Sequence, residues 1–498
     1  MNARWLLALA VVAAAAIAGC GDPSSAKFVL SERTKKLAST AKAAVEGELQ
    51  KSFGDPNRLV VWQKLPVDFG EFDGVVEDTP QHVTDAFNVQ LSAKPKSVVP
   101  LQPDQFKGAA LAWTSGSNVD LVAEIKGKEQ PINFQIADYD PQSSKLRLRV
   151  IPPEAAGALT APQKGDKFAV LGPVLQHGRK LYMQNCEHCH GVSGDGNGPT
   201  AEYFDIKPRD YRLGLFKFTS TGNMDKARRD DLDRTVRLGI PGTYMPSFLL
   251  FKDDEVGAIV EYVRWLSLRG EFEQKVDVEF EAEQYTSDAI SQRRKGGESQ
   301  EQIDSALAKF IGGELPRKAS DAGDDLATAW NKAEQPDALI LPKKARTPDS
   351  PESRERGRKL FVSDVAKCAQ CHGPAGRGDG QQTEDYQLIP GSTKPFSKPG
   401  LFDAWDHPIK PRDLTSGIYR GGRRPLDIYR RIYSGIKGTP MPPFGAALKD
   451  EEIWDLVNYA MSLPFQKGSE YPEQPQQTKI ASTETAPVIG KRRGAGGN

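Results

Sequence analysis

Apolar residues recur at helical spacing in several separate stretches. Leu37, Ala41, Ala44, Val45 and Leu49 share one face of a segment from Ser31 to Phe53. Val256, Ile259, Val260 and Leu266 do the same with Tyr262 beside them. Ile453, Leu456, Val457, Ala460 and Leu463 repeat that arrangement beside Tyr459. A further helix is expected from Ser299 through Ile303, Leu307 and Phe310. After the first of these segments the period changes to two. Ile132-Asn133-Phe134-Gln135-Ile136 alternates strictly, as does Lys145-Leu146-Arg147-Leu148-Arg149-Val150, with a Pro-Gln-Ser-Ser turn between them. Val119 to Lys126 is a third strand candidate. The pattern predicts a small, mainly antiparallel β region over 55–171, followed by a mostly helical remainder.

The helical remainder contains a repeat. Gly178-Arg179-Lys180-Leu181-Tyr182 is answered by Gly357-Arg358-Lys359-Leu360-Phe361. A Pro-Arg-Asp triplet follows at 208–210 and again at 411–413. Gly239-Ile240-Pro241-Gly242-Thr243-Tyr244-Met245-Pro246 is matched by Gly435-Ile436-Lys437-Gly438-Thr439-Pro440-Met441-Pro442. The two amphipathic segments ending in Leu266 and Leu463 close the two copies. The chain therefore holds one domain twice, over 172–270 and 352–466, joined by a charged, partly helical linker over 271–351.

Each copy carries one Cys-x-x-Cys-His segment: Cys186-Glu187-His188-Cys189-His190 and Cys368-Ala369-Gln370-Cys371-His372. Two thiols on one short turn match the two vinyl groups of a single haem, and the adjacent histidine then lies against the iron. Zinc is the rival for any Cys-x-x-Cys. A four-thiol ribbon needs its two pairs about 15–20 residues apart, whereas most of a domain separates Cys189 from Cys368. The motifs thus predict two covalently bound haem c groups. The chain has 5 cysteines; four belong to these motifs and the fifth is Cys20. Lys and Arg total 66, as do Asp and Glu, which removes any general electrostatic attraction to nucleic acid.

The N-terminus carries Arg4, an apolar stretch from Trp5 to Ala18, and then Ile17-Ala18-Gly19-Cys20. The stretch is short for a bilayer-spanning helix and matches the apolar region of a signal peptide over 1–19. Ile-Ala-Gly-Cys resembles the lipobox of bacterial lipoproteins. That resemblance implies lipidation of Cys20 and a location on the periplasmic side of a bacterial membrane. Residues 20–54 would then form the anchor and N-terminal helix. The tail over 467–498 is rich in Pro, Gln, Thr and Gly, a composition expected to be disordered.

With these residues in view, the repeated unit resembles class I c-type cytochromes. The resemblance implies that an N-terminal helix crosses a C-terminal one, with Gly178 and Tyr182, or Gly357 and Phe361, at the crossing. His190 and His372 would be proximal iron ligands. Met245 and Met441, equivalent in the repeat, would be the sixth ligands, and His/Met ligation raises a haem's reduction potential. Pro199 resembles the family proline whose carbonyl orients the proximal histidine; the second copy has Gln381 where a proline would stand, and a longer insertion through about Leu401. Arg209, Arg412, Arg234 and Arg430 are candidate donors to haem propionates. The expected fold class is multidomain: two mainly α class I cytochrome c domains plus an N-terminal small, mainly antiparallel β (α+β) domain. The expected function is a membrane-tethered relay of single electrons, not an enzyme. Its donor would be a quinol-oxidising complex or dehydrogenase, and its acceptor a terminal oxidase or reductase. The rival is a dihaem enzyme such as a peroxidase, which needs one iron with a free distal site.

Overall fold

The computed structural model describes residues 26–70, parts of 72–170, and 172–466. The expected signal peptide, Cys20 and the tail over 467–498 lie outside the described residues. The chain is 49% helical, with a small sheet. Among the described residues no helix is long and apolar enough to cross a membrane.

The first segment forms two helices, α1 (Glu32–Lys36) and α2 (Ser39–Phe53), where the pattern predicts one. Extended backbone at Leu37 and Ala38 breaks them, and Ala38 N–H donates to the Tyr285 carbonyl at 3.0 Å. The predicted face is kept: Leu37, Ala41, Val45 and Leu49 are buried.

The sheet comprises β1 (Phe72–Val76), β2 (Ala86–Leu91), β3 (Ala110–Ala112), β4 (Asn133–Asp140), β5 (Lys145–Ile151) and β6 (Lys167–Val170). The spatial order is β6-β1-β2-β5-β4-β3, with every neighbour antiparallel. The two strictly alternating runs pair as β4 and β5, with a register shift between Ile136 and Asp138. The strand expected over Val119–Lys126 is represented by a short separate hairpin, in which Ala123–Ile125 pairs with Lys128–Gln130.

The first repeat contains α3 (Pro173–Asn185), the short haem-motif turn α4 (Glu187–His190), α5 (Arg229–Leu238) and the start of α6 (Asp253–Ala282). Asp253, Asp254 and Glu255 occupy the first turn of α6, where carboxylates meet the positive end of the helix dipole. Helix α6 runs 30 residues, well past the expected boundary at 270. Its first half crosses α3. Farther along it packs on α2 through Trp265 and Phe272, whose rings each lie 5.5 Å from Phe53.

The segment expected to be a partly helical linker is helical over most of its length: α7 (Ser287–Lys295), α8 (Gln300–Gly313) and α9 (Leu315–Glu334) follow α6. Two of its carboxylates, Glu271 and Glu334, take partners in the interior. Buried Arg264 donates to Glu334 Oε1 at 2.8 Å and to the Pro66 carbonyl at 2.9 Å, and Trp330 Nε1 donates to Glu271 Oε1 at 2.8 Å. The second repeat follows as α10 (Pro351–Val362), the haem-motif turn α11 (Cys368–His372), α12 (Pro425–Ser434) and α13 (Asp450–Ser462).

Candidate functional site

In both repeats the helix crossing depends on one glycine. A side-chain carbon at Gly178 would stand 2.0 Å from the Ala258 carbonyl oxygen, and one at Gly357 2.0 Å from that of Asp455. One turn later Tyr182 meets Tyr262 at 5.1 Å, and Phe361 meets Tyr459 at 5.3 Å. The crossing delivers the end of α3, or of α10, to its Cys-x-x-Cys-His turn. Tyr182 then donates its phenol hydrogen to the Gly191 carbonyl at 2.8 Å, which ties helix and turn together.

The loops after the two turns match residue by residue. Gly191, Gly194 and Gly196 have φ of 75, 68 and 76°, and Gly373, Gly376 and Gly378 have 74, 76 and 79°. These are left-handed values that glycine adopts without a Cβ penalty. Gly196 N–H donates to the His190 carbonyl at 2.9 Å, and Gly378 N–H to that of His372 at 2.8 Å. The second loop lacks the proline yet keeps the path of the first.

His190 Nδ1 lies 3.3 Å from the carbonyl oxygen of Arg209, and His372 Nδ1 3.1 Å from that of Arg412. A carbonyl can only accept, so Nδ1 carries the proton and Nε2 keeps its lone pair for a metal. Burial holds both imidazoles below their usual pKa, His190 at about 4, which leaves them neutral. This geometry corrects the reading of Pro199: the carbonyl facing His190 is that of Arg209. The Gly-Pro end of the loop curls back onto the haem turn, Gly198 N–H donating to the Cys189 carbonyl at 3.1 Å. The Pro-Arg-Asp strand instead crosses the histidine, pinned by Tyr211 N–H on the Gly194 carbonyl at 2.6 Å. Tyr211 also stacks on the His190 ring at 4.9 Å.

The two methionine loops are equally alike. Gly239 and Gly435 open them at φ of 63 and 68°. Thr243 Oγ1 accepts from Met245 N–H at 3.1 Å and donates to the Ile240 carbonyl at 2.7 Å. Thr439 does the same for Met441 and Ile436, at 3.3 and 2.7 Å. The Gly-Thr-x-Met pattern thus specifies a rigid turn.

All eight expected attachment and ligand residues line one continuous cavity of about 1690 Å³: Cys186, Cys189, His190 and Met245 from the first repeat, Cys368, Cys371, His372 and Met441 from the second. A single small-molecule site occupies about 300–1,000 Å³, so this chamber has room for more than one cofactor. Its walls fit haem: a pair of cysteines not joined to each other in each turn, a neutral histidine beside each pair, and a lining rich in aliphatic and aromatic side chains. Arg209, Lys217, Arg412, Arg420 and Arg431 supply cations at its edge. Burial holds Lys217 down at about 8 and Arg209 and Arg431 at about 10. Sequence reading missed Lys217, Arg420 and Arg431, which carry no motif and converge only through the fold. His407, in the loop before the second Pro-Arg-Asp triplet, also lines the cavity and lies 3.9 Å from Asp403.

The two repeats face one another with approximate two-fold symmetry. Arg234 of α5 pairs with Asp427 of α12 at 2.5 Å. In the mirrored position Arg430 of α12 feels the charge of Asp231 of α5 and donates to the Ile340 carbonyl at 3.1 Å. Lys437 of the second methionine loop donates to Thr221 Oγ1 of the first repeat at 3.0 Å.

A Cys-x-x-Cys-His turn set opposite a rigid methionine loop, in a small helical domain closed by two crossing helices, defines the class: a domain built to hold haem c. Residues 175–267 and 354–464 match the family model described as Cytochrome c, and two such matches imply covalently bound haem c. No curated protein matches the chain. Among solved structures, a chain titled "Kuenenia stuttgartiensis reducing HAO-like protein complex Kustc0457/Kustc0458" is similar at 23% identity and a TM-score of 0.40, covering 58% of this chain and 95% of its own. The expectation that the chain is not an enzyme does not stand: the similar chain comes from a complex titled HAO-like, and at a TM-score of 0.40 that likeness assigns no activity to this chain. What the two domains support is haem-based electron transfer.

Proposed function

We propose that the chain is a dihaem c-type cytochrome that passes single electrons between partner proteins through two haem c groups, one in each cytochrome domain. The shared cavity carries this reading, because it brings both attachment turns and both methionine loops into one chamber. Cys186 and Cys189, and Cys368 and Cys371, would hold the two macrocycles. His190 with Met245, and His372 with Met441, would supply the axial ligands. Haem c contributes a one-electron couple; the chain's own part is to fix the ligands, keep water from the apolar chamber and present a surface to partners. Around the Met245 loop that surface is apolar: Tyr203, Tyr244, Leu249 and Leu250 are exposed, with Tyr244 stacked on Phe204 at 4.4 Å. The second domain has Gly445 and Ala446 where Leu249 and Leu250 stand, so the first domain is the partner-facing one.

In this reading Cys20 is lipidated and tethers the protein to the periplasmic side of a bacterial membrane. The strands of 55–171 form a separate docking unit, and the partners are a quinol-oxidising complex or dehydrogenase and a terminal oxidase or reductase. Near-infrared magnetic circular dichroism of the ferric protein tests the core of it. Two methionine–iron bands are expected, one lost in Met245→His and the other in Met441→His. A spectrum without either band overturns the ligand assignment. A single band beside a high-spin haem places substrate chemistry at the second site.

A further inference from the structure

The backbone and side chain of each Pro-Arg-Asp arginine point to different domains. The Arg209 carbonyl accepts the hydrogen bond of His190 Nδ1–H at 3.3 Å in its own domain. Its guanidinium crosses the boundary, lies 4.0 Å over the ring of Trp405, and stands 3.4 Å from where a side-chain carbon would begin at Gly438, in the Met441 loop. Arg412 repeats this in the other direction. Its carbonyl faces His372 at 3.1 Å, and its Nη2 stands 3.2 Å from the corresponding position at Gly242, in the Met245 loop. Arg412 is held in that pose by donating from Nε to the Ile418 carbonyl at 2.9 Å, and neighbouring Arg420 donates to the Gly242 carbonyl at 3.2 Å.

The glycines at the receiving ends are required for this approach. A carbon at Gly438 would meet Trp405 at 2.7 Å, and one at Gly242 would meet Ile418 at 3.3 Å. Gly242 and Gly438 also have φ of 72 and 70°, which other residues rarely adopt. The third residue before each methionine is thus kept bare where the partner domain's cation arrives.

We propose that Arg209 and Arg412 are crossed positioning residues: each orients its own domain's proximal histidine through its carbonyl and sets the potential of the other domain's haem through its guanidinium. Each then links the proximal side of one site to the distal loop of the other, so that the two sites are coupled through two single residues. This deepens the dihaem reading above and rests on it. A cation at the edge of a buried iron site disfavours the ferric state, with its extra positive charge. Removing it should lower the potential of the haem across the boundary.

Substitution separates the two roles, because a side-chain change leaves the carbonyl in place. Each haem's potential is read from its own methionine signal in a redox titration, the signals being assigned with Met245→His and Met441→His. Haem content per chain is measured first, and a value other than two overturns the dihaem reading independently of the crossing. Arg209→Gln is expected to raise the ferric-to-ferrous ratio of the Met441 site about tenfold at fixed poise, about 59 mV for one electron, with less than a threefold change at the Met245 site. Arg412→Gln should give the reverse pattern, and Arg209→Lys should restore most of the shift. If each variant moves chiefly its own domain's haem, or both haems equally, the crossed assignment is wrong. Should Arg209→Gln fail to take up haem, Arg412→Gln and Arg209→Lys decide the question in the same way.

Discussion

Gly178→Ala probes the crossing on which the first haem turn depends, and two effects of opposite sign compete there. In a helix interior, alanine is favoured over glycine by about 1 kcal/mol. Against that, the new carbon would stand 2.0 Å from the Ala258 carbonyl oxygen and 2.9 Å from Tyr262 Cβ. A carbon and a carbonyl oxygen normally approach no closer than about 3.3 Å, so α3 and α6 must separate by about 1.3 Å at their closest point. Both obstructing groups belong to a helix backbone or its first side-chain atom, and no rotamer change relieves them. Overpacking of this kind costs about 1–3 kcal/mol, occasionally more. Separation also loosens the Tyr182–Tyr262 contact behind the haem turn. Because no rotamer relieves it, this clash belongs at the upper end of that range, so it should win with a net loss of about 2 kcal/mol. Gly47→Ala is the control: Gly47 is an exposed residue of α2 with nothing within 4 Å of the added carbon, so only the propensity gain remains, a stabilisation of about 0.5–1 kcal/mol. The assay is urea unfolding of the haem-loaded protein, with loss of the Met245–iron band reporting the first domain. Gly357→Ala should act alike on the second, where the new carbon meets the Asp455 oxygen at 2.0 Å. If Gly178→Ala melts at or above the parent's urea midpoint, as Gly47→Ala should, the crossing is not the close contact described here.

Two further outcomes are expected. Burial pushes Asp427 up, but the hydrogen bonds from Arg424 and the nearby Arg234 more than offset this and hold its carboxyl below the usual range; Arg234→Ala removes the partner from across the boundary and should cost about 1–3 kcal/mol, with faster amide exchange in α5 and α12. Exchange rates equal to the parent's would show that the pair does not hold the domains together. Burial pushes Asp277 up to about 6, against the Ser31 and Thr34 donors. A carboxyl raised in the folded state supports the fold fully below its unfolded value, about 3.9, and loses that support as pH rises through 6. Asp277→Asn should therefore flatten the decline in melting temperature between pH 4 and 6 and add about 1–3 kcal/mol at pH 7; a pH profile parallel to the parent's would refute it.

Much of the architecture was legible because the chain states it twice. Gly178 and Gly357, the three loop glycines after each histidine, and the Thr-x-Met turns each recur at matching places, and local backbone geometry follows directly from such patterns. The helices of 271–351 were less legible. Helix α9 buries Leu315, Ala319, Ala322, Leu326, Trp330 and Ala333, a stripe in which small alanines stand among charges and give little apolar contrast. Helix α7 buries none of its residues, so it has no stripe to read. The break at Leu37 and Ala38 was invisible because the contact that stabilises it comes from Tyr285, far along the chain. The same limit applies to Pro199. Sequence order places that proline near the histidine, but only the folded loop shows that the Arg209 carbonyl reaches Nδ1. The edge cations Lys217, Arg420 and Arg431 gather through tertiary packing alone.

The symmetry of the domain boundary, and one breach of it, bear on how two such sites work together. A two-fold interface uses the same patch on both sides, which is why the Arg-Asp positions of α5 face those of α12. Two sites made wholly equivalent this way would hold an electron equally well, and transfer between them would have no preferred direction. The insertion in the second domain removes the equivalence. The loop that follows it places Trp405 between Arg209 and the Met441 loop, where the first domain has no counterpart, whereas Arg412 approaches the Met245 loop beside Ile418. An indole ring shields a guanidinium differently from an aliphatic side chain, since its π face draws the cation toward itself. The repeated parts of the domain therefore fix what the two sites share, and the loop carrying Trp405 is one place where a difference between their potentials can originate.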